Sequence, residues 1–315
     1  MYWLKKLLGV FATLLLVSML TFTALYLIPG DPAVLILGTE AEHQDIELVR
    51  SQLGLDRPVA VQYLSWLAGV LKGDFGNSIT FSKGYSVSQL VGSAIPVTVP
   101  LAVAAMILSL LLAVPLGMLA ASRKGSRLDS LILTLSQTGL SVPAFWLGIL
   151  AIQFFAVRLG WFPPGSMPKW SDDPAGAASS LLLPALVLAL PRAAILTRIV
   201  RTAMLETLGE EYIRTARGKG VSEWSIVTRH ALRNALVSIS TVAGIQLIQL
   251  LAGAIVIEQV FSLPGLGRLI LSSVLLRDLP VVQGAVFAGA ALILAVNFLL
   301  DSVYPLIDPR IRGVA

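Results

Sequence analysis

One charge stands deep inside an apolar stretch. Arg192 follows Pro191 within the run 180–199. A guanidinium in hydrocarbon is costly, so it marks a contact with a transported or gating group, or else an internal ion pair or a snorkelling side chain. Gln246, Gln249 and Gly253 recur at helical spacing in a second apolar run. Such residues can line a polar pathway, or hydrogen-bond between helices that pack closely at the glycine. Gln153 and Asn297 stand alone and read as structural. The second cluster is the segment 210–234, EEYIRTARGKGVSEWSIVTRHALRN, the longest strongly polar run between two very apolar ones. It carries Arg214, Arg217, Lys219, Arg229 and Arg233. Its local chemistry reads as two short helices with a break. Glu210 and Glu211 suit the positive end of a helix dipole, and Gly218 and Gly220 can end that helix in a left-handed conformation. Ser222 is placed to cap a second helix, with Trp224, Val227 and Ala231 on one face. A helix pair of this kind, held between membrane spans, is a handle for a soluble partner. The plainer alternative is a solvated positive loop that only fixes topology.

Several chemistries have no candidate residues. There is no cysteine, which excludes disulfides, Cys-ligated zinc and a thiol nucleophile. The only histidines, His43 and His230, are far apart and on opposite predicted sides of the membrane, which argues against a His-based metal site or a Ser–His dyad. No GxxxxGK[ST] loop occurs; Gly265-Leu266-Gly267 lacks the lysine. No pair of acidic residues lies deep in a span, and Asp301 falls near the end of the last one, so a carboxylate proton relay has no candidate. If the chain moves a solute, the energy comes from elsewhere.

The elements that must position these residues are helices. Hydrophobic residues make up 56% of the 315 and charged residues only 13%, against about a quarter charged in soluble domains. That is the composition of a membrane protein, long enough for about six spans of roughly 20 residues. The apolar runs lie near 7–28, 97–120, 131–157, 180–199, 236–257 and 281–303. The first is too long for a signal-peptide core, which runs to about 7–15 residues, and reads as a retained span ended by Pro29-Gly30-Asp31-Pro32. The third is interrupted at Gly139 and at Ser141-Val142-Pro143, which is tolerated where neighbouring helices or a watery cavity satisfy the freed backbone. Residues 31–94 are comparatively acidic and hold two short helices, near 40–53 and 58–73. The second of these is too short to span and packs on the membrane domain or lies in the interface. The segments 160–177, with Trp161 and Trp170, and 258–280 read as loops. Basic residues concentrate in the segments that share a side with the N-terminus. The positive-inside rule therefore puts both termini and the 205–233 loop in the cytoplasm. That accounts for the net charge of +5 without nucleic acid.

Several stretches together resemble one family. They are Leu53-Gly54-Leu55-Asp56-Arg57-Pro58, Gly73-Asp74-Phe75-Gly76, the run from Glu211 to Gly220, Glu258-Gln259-Val260-Phe261 with Pro264-Gly265-Leu266-Gly267, the run from Arg277 to Gly284, and Asp308-Pro309-Arg310-Ile311-Arg312. In order and nearly end to end, they look like a permease subunit of ATP-binding-cassette importers of the dipeptide, oligopeptide, nickel and glutathione group. The large region after the first span resembles the first (B-type) of the paired permeases. The resemblance implies an all-α, type I importer fold of six spans in the bacterial inner membrane. Residues 1–94 would form the first span and an external helical region, 95–304 the core transmembrane domain, and 305–315 a cytoplasmic tail. It implies a homologous second permease, two ATP-binding subunits that hold the ATP and magnesium, an extracytoplasmic substrate-binding protein, surrounding lipid, and no catalysis by this chain. Glu211, Arg214, Ala216, Arg217, Gly220 and Trp224 would dock the ATPase, Gly220 standing at the motif glycine and Ala216 at a motif alanine. Gly218 departs from the alanine expected there. Arg192, Gln246 and Gln249 are the candidates for the pathway. A stand-alone secondary transporter or channel is the alternative, but it needs an ion site or filter that the spans do not offer. An intramembrane hydrolase lacks its catalytic histidine.

Overall fold

The structure, a computed structural model of the chain, describes residues 2–27, 32–37, 42–52, 54–163, 165 and 167–307. Its elements in order are α1 (Tyr2–Tyr26), α2 (Pro32–Leu37), α3 (His43–Gln52), α4 (Val59–Val70), α5 (Val87–Ser122), α6 (Arg127–Ser141) and α7 (Ala144–Ala151), which widens into a π-helical stretch, Ile152–Arg158. Then come α8 (Pro174–Leu208), α9 (Glu211–Gly218), α10 (Glu223–Ser225) with a π-helical stretch Ile226–Ala231, α11 (Leu232–Val260), α12 (Leu266–Leu275) and α13 (Leu279–Ile307). Among the described residues, five helices are long and apolar enough to cross a membrane, and α6 with α7 makes a sixth span if the bent pair is counted as one. The bend is 93°. It falls at Val142, whose extended backbone (φ −93°, ψ 123°) is what the following Pro143 imposes. The turn expected at 29–31, Leu53, and the tail from 308 lie outside the described residues.

Two compact units emerge from the packing, Met1–Val97 with Pro264–Ala295, and Thr98–Leu263 with Val296–Ala315. In the first, Val87, Val91 and Ala94 present one face of α5 to Leu266 and Leu269 of α12 and to Val281 and Ala285 of α13. Aromatic rings join the helices that flank this core. Phe22 meets Tyr63 edge-on at 5.4 Å, Tyr63 stacks on Trp66, and Trp66 meets Phe287 at 5.8 Å. Short α4 is thus packed on its neighbours, with Tyr63 Oη hydrogen-bonded to Ser18 Oγ at 2.8 Å. The segment 258–280, expected from its turn formers to be a loop, contains α12. Leu266, Leu269 and Ser273 recur at helical spacing and are buried, so a ten-residue amphipathic helix forms between its turns.

Asp278, fully buried, organises the turn beside it. Its Oδ2 accepts from the Ser78 hydroxyl (2.6 Å) and from the backbone N–H groups of Ile79, Thr80 and Phe81 (2.9, 2.9 and 2.8 Å). A buried carboxylate with this many donors is stabilised without a cation.

In the second unit α8 is the central element. Asp173 caps it by accepting from the Gly176 N–H (2.8 Å), and the helix starts at Pro174, six residues before the run read from sequence. Gly117 of α5 allows close approach here, since a Cβ at that position would stand 2.6 Å from Val200 Cβ. Val200, Ala203 and Met204 of α8 pack with Ala121, Val227, Ala231, Ala235 and Ile239.

Candidate functional site

The polar segment folds as a helix, a tight turn and a second helix, but the second is not a separate short element. The 223–225 turn continues through the π-helical stretch into α11, so one helix runs from Glu223 to Val260. Between the helices, the Gly220 N–H donates to the Arg217 carbonyl (2.9 Å) and the Val221 N–H to the Ala216 carbonyl (3.2 Å). That is the Schellman pattern, and its left-handed residue is Gly220, at φ +78°. Ala216 and Arg217 therefore serve the turn through their backbone, while Gly218 stays helical. Ser222 departs from expectation. It occupies the N-cap position, but its side chain makes no capping bond; its carbonyl accepts from Ile226 N–H at 3.0 Å.

Apolar plugs fix this element to the unit. Ile213 and Ile226 are fully buried, as is Ala231. The Tyr212 hydroxyl accepts from Asn234 Nδ2 (2.5 Å), tying α9 to α11. Arg217 bridges the turn to Glu223 (Nε–Oε1 2.7 Å, Nη2–Oε2 3.3 Å), and this carboxylate raises the arginine's hold on its proton. Glu211, Arg214, Arg217 and Trp224 face outward. Trp224 is 77% exposed and so does not share the buried face of Val227 and Ala231. The reason is that no residue of α10 is buried: this first turn projects past the core.

Arg192 and the two glutamines do come together. Arg192 Nη1 donates to Gln246 Oε1 at 3.0 Å and to Gln249 Oε1 at 2.7 Å, which links the middle of α8 to α11. Gln246 is buried and Gln249 exposed. This arrangement is not an ion pair, because both partners are neutral amides.

One charged junction went unread in the sequence. Asp129 of α6, almost completely buried, takes Arg201 of α8 in a two-pronged bond, 2.7 Å to each oxygen, and also accepts from the Gly125 N–H. Arg201 is therefore more than a topological charge. The spacing Ser126-x-x-Asp129 is a capping-box pattern that could have pointed to it, and the Asp129 N–H does donate to Ser126 Oγ at 3.2 Å.

Five or six candidate spans, an exposed helix pair and a cation held by two amides in mid-span are features that suit the membrane subunit of a transporter. The chain belongs to the family described as binding-protein-dependent transport system inner membrane component, whose model matches residues 113–313, with that family's N-terminal membrane component model matching 1–104. It is 44% identical over 309 residues to a provisionally named peptide transport system permease protein of Brucella abortus, covering 98% of each chain. It is 42% identical over 311 residues to a glutathione transport system permease protein of Salmonella paratyphi A, covering 99% of this chain and 98% of that one. Among solved structures, the inward-facing MetNI methionine ABC transporter shares the fold, with a TM-score of 0.57 at 19% identity over 70% of this chain and 97% of that one. The protein is thus a multi-pass permease subunit of a bacterial ABC importer, with the type I transmembrane fold. It is not itself an enzyme, and its family works with a partner permease, an ATPase and a substrate-binding protein.

Proposed function

We propose that this subunit forms one half of a translocation pathway with a homologous second permease, and that two ATPase subunits grip its 205–233 segment and the counterpart on that permease. The ATPases carry the ATP and magnesium, and an extracytoplasmic binding protein delivers the solute. The observation that carries this reading is the exposed Trp224, Arg214 and Glu211 on an element whose other face is plugged by Ile213 and Ile226. A rigid handle with an exposed aromatic anchor suits helix-in-groove docking. Because α10 is continuous with α11, displacement of the handle reaches Gln246 and Gln249 without a flexible joint. Arg192, Gln246 and Gln249 line the pathway: a polar cluster open on one side in mid-span belongs against water or protein, not lipid. The relatives are named for peptide and glutathione transport, which supports a peptide-like solute here. In this reading both termini are cytoplasmic, 1–94 is the first span with an external helical region, 95–304 the core domain and 305–315 the tail.

The test is ATP hydrolysis by the purified subunit alone and by the reconstituted importer. Hydrolysis is expected only in the second, and turnover by this chain alone contradicts the reading. For topology, single cysteines at Ser126 and Ser222 of the cysteine-free chain should be shielded from an impermeant thiol reagent in intact cells.

A further inference from the structure

We infer that Arg192 is the counter-ion for a carboxylate on the solute in transit, so that the pathway is selective for small carboxylate-bearing solutes. This rests on the pathway reading above. A guanidinium has five N–H donors. Both hydrogens of Arg192 Nη1 are committed, to the side-chain oxygens of Gln246 and Gln249. Its other edge, Nε with Nη2, has no acceptor among the described residues, and both bonded partners are uncharged.

The chain itself shows what that edge takes. In Arg201 the same two nitrogens close on Asp129 at 2.7 and 2.7 Å. In Arg217 they close on Glu223 at 2.7 and 3.3 Å. The fork of an arginine matches the two oxygens of a carboxylate. Arg192 presents this fork in the middle of a span, where a full charge is costly until it is neutralised. The glutamines aim it, since Gln246 is 6% exposed and so is held in the packing between α8 and α11. There is also room. A Cβ placed on Gly253 would meet Arg192 Nη2 at 3.8 Å and no other neighbouring atom within 4 Å, so the space beside the open edge is bounded by the cation itself. A solute carboxylate, such as the C-terminal group of a short peptide, would replace water at this edge and leave again as the helices move.

Two measurements on the assembled importer in proteoliposomes test this. The chain has no cysteine, so Gly253→Cys gives it a single thiol that fits the open space. Its modification by an anionic sulfonatoethyl and a cationic trimethylammonioethyl methanethiosulfonate is followed by mass spectrometry of this subunit. The anionic reagent should be favoured, and adding Arg192→Gln should reduce that preference about tenfold. In the second measurement, uptake of dialanine is compared with uptake of dialanine amide. The acid-to-amide ratio should fall by about tenfold or more in Arg192→Gln and by less in Arg192→Lys, which keeps the charge but loses the fork. If Arg192→Gln fails to assemble, Arg192→Lys carries both comparisons. An unchanged reagent preference, or equal loss of acid and amide uptake, overturns the counter-ion role and leaves the pathway standing. If neither reagent reaches the introduced thiol in the assembled importer, the pathway reading falls and the inference with it.

Discussion

Several helices of this chain end in the same left-handed turn, and α9 and α12 solve its central difficulty differently. After α9 the left-handed residue is Gly220, at φ +78°. After α12 it is Arg277, at φ +54°, with the Asp278 N–H reaching back to the Ser273 carbonyl (2.8 Å) and the Arg277 N–H to Val274 (3.1 Å). A residue with a Cβ in that conformation costs about 1–2 kcal/mol. At Arg277 the cost is offset by the next residue in the chain, since Asp278 is buried and gathers the Ser78 hydroxyl and three backbone N–H groups. Gly220 has no such neighbour. Lys219, Ser222 and Glu223 beside it are exposed, and the Arg217–Glu223 bridge across the turn is a surface ion pair worth about 0–1 kcal/mol. One turn is locked by its own chain. The other has only glycine at the turn itself, is held further along by Ile213, Ile226 and the Tyr212–Asn234 bond, and leaves its polar surface exposed.

The largest expected effect breaks the locked turn. Asp278→Ala removes the acceptor of four donors, each left unsatisfied at about 1–3 kcal/mol, so a loss of at least about 3 kcal/mol is expected. The detergent-purified subunit should melt earlier and become cleavable by protease between 77 and 86. An intact segment would show that the carboxylate does not hold it. Next is Trp224→Ala, on the open side. At 77% exposure it supports no core, so the melting midpoint should stay put while affinity for the ATPase falls by about 2 kcal/mol, roughly 30-fold in a titration. A shifted midpoint with unchanged affinity would reverse its assigned role. The smallest is Glu223→Ala, which breaks the exposed pair with Arg217; stability should change by no more than about 1 kcal/mol. A larger loss would mean that the ion pair, rather than the apolar plugs, holds the turn.

The features legible in the sequence are those set by short-range forces. Hydrophobic runs are local, and they located every span, including the break at Val142-Pro143. Glycine chemistry is also local, and it placed the left-handed turn at Gly220. Arg192, Gln246 and Gln249 stand out singly as polar residues in apolar surroundings, but their pairing was not legible. Long-range pairing left little trace. Asp129 reaches Arg201 across 72 residues, and Asp278 reaches Ser78 across 200. Asp278 lies in one of the runs that carry the family resemblance, but no local pattern pairs its carboxylate with Ser78. Helix α12 was hidden because ten amphipathic residues between turn formers look like a loop until a core covers Leu266 and Leu269. Ser222 had the right residue type for a cap, but its side chain is not used as one. The continuity of α10 with α11 was missed because a π-helical stretch gives no hydrophobic period to trace.

The most direct test of the central claim, that the 205–233 element transmits the ATPase cycle to the pathway, is solute uptake measured beside ATP hydrolysis in the reconstituted importer carrying Gly220→Val. No atom would obstruct the new Cβ, since nothing lies within 4 Å of its position. The effect is conformational: about 1–2 kcal/mol of left-handed strain, made worse by β-branching. It acts at the turn that sets the angle between α9 and α10. The account predicts normal membrane insertion with uptake falling steeply, while hydrolysis is either lost or continues without response to the binding protein. Wild-type uptake at wild-type expression would contradict it and leave the segment as a topological tether.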